Sequence, residues 1–244
     1  MVSFWKHVNG VLRQADLIIE VLDSRMIEES RNYEIEEKIK RSGKQILYVI
    51  NKCDLVDAQA LTPWKKILNP CIFISSRYHL GTTLLKKKIL EISKGEQVIV
   101  GVVGYPNVGK SSLINALAGR SKARTSPQSG FTKGMQKIKV DSRIELLDTP
   151  GVLPDKEKDM HKHMMIGAID HGQIKDPETA ALGLIQHEKE AVLRYYQIEG
   201  DDPEEILEKI ALKLKKVIKG GEPDIDSVSR LILKSWQLGK IRRP

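Results

Sequence analysis

Residues 104–111 read Gly-Tyr-Pro-Asn-Val-Gly-Lys-Ser, and they join an apolar run, Val98 to Val103, to a helical stretch beginning at Ser111. The segment satisfies G-x-x-x-x-G-K-[ST], in which backbone N–H groups close around phosphates, a lysine reaches the β/γ-phosphates and a hydroxyl meets Mg²⁺. Bound phosphate must then lie on the N-terminal N–H groups and positive dipole end of the following helix. Few local features constrain a fold as strongly: strand, loop and helix must be contiguous, and the ligand must sit at the carboxyl edge of a sheet. Asn107, Val108, Gly109, Lys110, Ser111 and Ser112 are the expected nucleotide contacts of this loop. Lys110 would neutralise phosphate charge and Ser111 would coordinate the metal.

About fifty residues earlier stands Asn51-Lys52-Cys53-Asp54, whose aspartate suits the guanine N1–H and exocyclic amine. Together the two segments specify GTP, and their order specifies a rearranged chain. Asp54 is the expected specificity residue, since adenine would strand its carboxylate, and such sites discriminate by roughly 10⁴–10⁵. Asn51 would hold neighbouring loops and the guanine edge, and Lys52 would lay its stem along the base. Ser75-Ser76, closing the next strand, can offer a backbone N–H to the guanine carbonyl oxygen. Asp148-Thr149-Pro150-Gly151 ends another strand and offers a carboxylate, Asp148, for a metal-bound water and a glycine N–H, Gly151, for the γ-phosphate. Thr132, within Gly130-Phe131-Thr132-Lys133, is placed to be a switch hydroxyl on Mg²⁺ and γ-phosphate.

The remaining strand signals are residues 16–23, 45–50, 72–74, 138–140 and 144–147, with helical stretches at 33–41 and 84–93 between them. They predict a mostly parallel sheet with helices on both faces over residues 1–156. After about Lys156 only helical signals remain, so residues 157–244 are expected to form a smaller, all-α domain. There, Asp202-Pro203-Glu204-Glu205 is a helix start. The stripe Ile206, Leu207, Ile210, Leu214, Val217 and Ile218 predicts a helix running to Gly220-Gly221, and a last helix spans about 226–238.

The net charge of +8 is lopsided. Residues 1–156 hold 25 basic against 16 acidic side chains, whereas residues 157–244 hold 15 against 16. The excess is densest at Arg120, Lys122, Arg124, Lys133, Lys137, Lys139 and Arg143, which face one acid, Asp141. That stretch reads equally as a nucleic-acid contact or a solvated loop. No apolar run is long enough to span a membrane, the first residues lack a secretory h-region, and Cys53 and Cys71 have no metal-ligand spacing. A cytoplasmic protein is expected, with a monomer as the default.

The order Asn-Lys-x-Asp, Ser-Ser, Gly-x-Pro-Asn-Val-Gly-Lys-Ser, Gly-x-Thr, Asp-Thr-Pro-Gly resembles the circularly permuted GTPases of the YlqF/YawG family. Val21-Leu22-Asp23-Ser24-Arg25 and residues 233–239 also resemble family segments. The resemblance implies a P-loop GTPase fold and a large-subunit ribosome-assembly factor that binds ribosomal RNA and is stimulated by the subunit. Val152 stands where many GTPases carry a water-orienting glutamine, which implies slow intrinsic turnover. Asn107 matches the asparagine of GTPases that use K⁺ as a charge-stabilising element. The family's N-terminal Pro-Gly-His segment is absent: the chain reads Phe4-Trp5-Lys6-His7-Val8-Asn9-Gly10, which leaves His7 without an assigned role. An alternative is a nucleotide-gated RNA- or protein-binding module in which hydrolysis is incidental.

Overall fold

The computed structural model describes residues 4–119, 136–148 and 160–243. The chain divides into two compact units, residues 1–158 and 159–244. The first holds a six-stranded sheet in the order β3-β2-β1-β4-β6-β5. Its strands are β1 (Leu17–Asp23), β2 (Gln45–Asn51), β3 (Cys71–Phe73), β4 (Val98–Val103), β5 (Gln136–Lys139) and β6 (Ile144–Asp148). All neighbouring pairs are parallel except β5 with β6. From β1 the chain winds one way to β3, and from β4 it winds the other way. The β1/β4 border is thus the topological switch point, where open α/β sheets bind ligands at their carboxyl edge.

The first helix, α1 (Phe4–Gln14), has no counterpart among the sequence expectations. Its signal was the spacing of Val8, Val11, Leu12 and Ala15, all of which are buried. It lies directly on β4, where a Cβ at Gly101 would come within 2.3 Å of Val11 Cγ1. Next comes α2 (Tyr33–Arg41), started by the Asn32 side chain, which accepts from Ile35 N–H. Both helices share an apolar cluster with Ile18, Leu22, Ile46 and Ile50. Alternation along β1 also turns Glu20 to that face. Two short helical turns, α3 (Ala58–Leu61) and α4 (Trp64–Ile67), link β2 to β3, and α5 (Thr82–Ile92) precedes β4. The helix after the glycine loop, α6 (Lys110–Ala118), buries Leu113, Ile114 and Leu117.

In the second unit, α7 (Met160–Met165), α8 (Pro177–His187), α9 (Lys189–Tyr196), α10 (Pro203–Lys213) and α11 (Ile225–Gln237) surround their own core. Asp176, Asp202 and Asp224 cap α8, α10 and α11 by accepting N–H bonds from the first helical turn. Leu184, Ile185, Val192, Ile206, Ile210, Val228, Ile232 and Trp236 are buried, and Trp236 Nε1 donates to the Met165 carbonyl at 2.9 Å.

The expected helix to Gly220-Gly221 is corrected. α10 ends at Lys213, Lys215 takes φ 54°, and Val217 bridges Pro223 across a tight turn at the glycine pair. Leu214, Val217 and Ile218 are therefore exposed, and Lys215, Lys216 and Lys219 lie beyond the end of the helix. The stripe continued in sequence, but its last three members have no core to face. A helix without a buried face has little beyond intrinsic propensity to hold it, and Val217 and Ile218 are β-branched.

Candidate functional site

The carboxyl ends of β1, β2, β3, β4 and β6 carry, in turn, Asp23, Asn51, Ser75-Ser76, the 104–111 loop and Asp148. Parallel pairing sets Asp23 opposite Asn51, and Asp148 opposite Val102, two residues ahead of the glycine loop. Residues scattered over more than half the sequence are in this way brought to one edge of the sheet.

Asn51 joins the two motifs. Its Nδ2 donates to the Val108 carbonyl at 2.9 Å, and its Oδ1 accepts from Ser76 N–H at 3.1 Å and Ser76 Oγ at 2.9 Å. The side chain is 2% exposed, so every one of these bonds is made away from water. Gly109 must be glycine for the same reason: its φ is 101°, and a Cβ would lie 2.2 Å from Asn51 Nδ2. Ser75 N–H donates to the Leu80 carbonyl. The structure thus gives both N–H groups of Ser75-Ser76 partners within the protein, and a base carbonyl would have to share the Ser76 N–H with Asn51.

Lys52 stands at φ 62° before a short 3-10 turn, Cys53–Leu55, that carries the half-buried Asp54. The Lys52 Nζ donates to Asp23 Oδ2 at 2.7 Å, while Arg25 grips the same carboxylate through Nε at 3.0 Å and Nη2 at 2.8 Å. Burial pushes the Asp23 carboxyl up, but Arg25 and Lys52 outweigh it and hold it well below the usual carboxylate range. Ser24 adds its N–H to the Asn51 carbonyl and its hydroxyl to the Lys52 carbonyl. None of the sequence motifs assigns a role to this Asp23-Ser24-Arg25 clamp. The available signal was an acid ending a buried strand, immediately ahead of an arginine.

In the glycine loop, Lys110 Nζ donates to the carbonyls of Gly104 at 3.0 Å and Tyr105 at 2.6 Å. Burial lowers its pKa to about 8, partly offset by the nearby Asp148 charge. A lysine held by loop carbonyls beside a buried carboxylate can exchange them for phosphate oxygens, whose charge would raise its pKa again. Ser111 is half-buried and Ser112 exposed in the first turn of α6, while Asn107 adopts φ 62°. Thr132, Gly151, Val152 and the basic residues Arg120, Lys122, Arg124 and Lys133 lie outside the described residues. His7 falls in α1, but its side chain is also outside them. Of the remaining basic stretch, Lys137 lies exposed on β5, and Asp141 accepts N–H bonds from Arg143 and Ile144 in the β5–β6 turn.

Comparison with known proteins agrees with this geometry. The family described as 50S ribosome-binding GTPase matches residues 99–218. An uncharacterized GTP-binding protein of Methanocaldococcus jannaschii is 39% identical over 97% of this chain and 65% of its own length. Nucleolar GTP-binding protein 2 of Yarrowia lipolytica is 33% identical over 97% of this chain and 49% of its own. The chain therefore spans between about half and two thirds of these relatives. GNP-bound YlqF from T. maritima superposes with a TM-score of 0.72 and 26% identity, covering 98% of this chain and 95% of that one. Its GDP-bound structure gives the same score at 25% identity over 97% and 96%. With motif order, sheet order and homology over nearly all of this chain in agreement, the chain belongs to the YlqF-like circularly permuted GTPases.

Proposed function

We propose that this chain binds GTP and hydrolyses it with Mg²⁺, as an assembly factor acting on the large ribosomal subunit. The observation that carries the reading is the Asn51 side chain, which bonds the guanine motif to the phosphate loop through the Val108 carbonyl. One buried amide thereby registers base and phosphate recognition against each other. Asp54 would receive the guanine edge, and Lys52, steadied by Asp23, would lie along the base. Lys110 would move from the Gly104 and Tyr105 carbonyls to the phosphates.

The donor set fits a hard cation. Ser111 offers a hydroxyl at the start of α6, and Asp148 offers a carboxylate buried at the end of β6 whose charge already acts on Lys110. Oxygen ligands of this kind suit Mg²⁺, which keeps several waters and leans on substrate phosphates. When bound, the ion would neutralise charge developing on the phosphates. Thr132 and the Gly151 N–H would complete the γ-phosphate surroundings, and Asn107 would hold K⁺. With Val152 in place of a water-orienting glutamine, turnover is expected to be slow until a partner contributes. The matched family's description, and the basic first half of the chain, support a ribosomal RNA-containing partner.

GTP turnover with and without purified large subunits, in potassium and in sodium buffer, tests the proposal, with Lys110→Ala as the blank. Stimulation by the subunit and a higher rate in potassium are expected. Equal rates in both salts would remove the K⁺ role. Tight guanine-nucleotide binding without stimulation would favour an occupancy-gated binding module.

A further inference from the structure

The loop leaving Ser75-Ser76 is a built feature. Ser75 and Leu80 exchange backbone hydrogen bonds at 3.1 Å in each direction, and Tyr78 N–H donates to Ser75 Oγ at 3.4 Å. The Thr82 hydroxyl donates to the His79 carbonyl at 3.0 Å, fastening the tip to the start of α5. Ser76 meanwhile is docked on Asn51. This short hairpin is therefore anchored directly to the guanine motif.

What it presents to solvent is unlike an ordinary loop tip. Tyr78 is 50% exposed, Leu80 56% and Leu84 60%. The Arg77 guanidinium lies over the Tyr78 ring, 5.6 Å from its centroid. From Ser75 to Leu90 there is no acidic residue, whereas Arg77, Lys86, Lys87 and Lys88 are basic. Lys88 pairs with Glu91 at 2.9 Å. Lys87 and Lys88 follow Leu84 by three and four positions, so apolar and cationic groups share one helix face.

Protein interfaces favour tyrosine and arginine but are depleted of lysine. An aromatic ring and a guanidinium plane bordered by lysines instead match unpaired bases and their phosphates. We propose that residues 77–88 form a contact for single-stranded RNA, with a base stacked on Tyr78 and phosphates on Arg77 and Lys87. The inference rests on the reading of a ribosomal partner above and deepens it. It gives the chain an RNA contact distinct in sequence from the basic stretch at 120–143 and joined to the guanine motif through Ser76 and Asn51.

Fluorescence anisotropy of the full chain with a labelled twelve-nucleotide oligoadenylate tests it, alongside GDP affinity and cosedimentation with large subunits. Tyr78→Ala is expected to weaken RNA binding about five- to a hundredfold, the loss of one base–aromatic stack, with Tyr78→Phe retaining it. Lys87→Glu should weaken binding and flatten its salt dependence. Unchanged GDP affinity will show that the variants are folded. Wild-type RNA binding that survives both Tyr78→Ala and Lys87→Glu overturns the inference, and so does an absence of RNA binding by wild type. Tyr78-dependent RNA binding without subunit binding would uphold this contact and sink the large-subunit reading. Subunit binding lost in Tyr78→Ala without any RNA binding would assign the patch to a protein and overturn the RNA contact.

Discussion

Asn51 is one buried side chain on which two loops depend. Replacing it with alanine removes the donor to Val108 and the acceptor for Ser76, leaving a carbonyl and an N–H unpaired away from water. Each such loss costs about 1–3 kcal/mol. Asn51→Ala is therefore expected to lower stability by roughly 2–6 kcal/mol and to weaken GDP binding at least tenfold, measured by urea unfolding and calorimetry. Because the amide binds no phosphate itself, GDP affinity unchanged in folded Asn51→Ala would contradict its role in aligning base and phosphate recognition. The residue type and position were legible in the motif, but its partner Val108 lies 57 residues away in sequence, a pairing only the sheet creates. The clamp on Lys52 was illegible for a related reason. Asp23, Arg25 and Lys52 meet because β1 and β2 are in parallel register, with Asp23 opposite Asn51.

β1 carries the clearest conflict between local pattern and environment. Glu20 is fully buried in the middle of that strand, with Oε1 accepting from Asn32 N–H at 2.8 Å. Nearby, Glu36 accepts from both Arg31 and Tyr48. Burial first, and then the Glu36 charge, raise the Glu20 pKa from 4.5 to about 8, against the opposing influence of Asn32, Arg31 and Lys40. The folded protein thus keeps a proton that the unfolded chain releases above 4.5. The stability this proton contributes is fully present below about 4.5 and is lost as pH rises to about 8. Thermal scans of wild type and Glu20→Gln across this range should show the wild type losing several degrees relative to the variant, at about 2–4 °C per kcal/mol. Parallel pH profiles would show that Glu20 is not the titrating group. The same scale contains the α10 correction: a helical stripe identifies a face, but Leu214, Val217 and Ile218 find no core to cover them.

Each of the two units has its own buried core, with Trp236 anchoring that of the second. Residues 159–244 expressed alone are expected to unfold cooperatively, with a heat-capacity peak in calorimetry. A broad, featureless melt would show that this unit depends on the first for its fold. At this scale, the sequence by itself supplied the motifs on which the proposed GTP chemistry rests, and the rearranged chain order. Phosphate loops and guanine motifs are contiguous segments whose residue types are dictated by the groups they contact, and their order along the chain is visible without any folding. The tertiary structure alone decided which side chains cooperate across strands: Asn51 with Val108 and Ser76, Asp23 with Lys52, and Lys110 with the carbonyls of its own loop. It also decided where helix α10 stops and which apolar groups stay in water. These outcomes depend on strand register and on the supply of buried surface, which are properties of distant residues acting together.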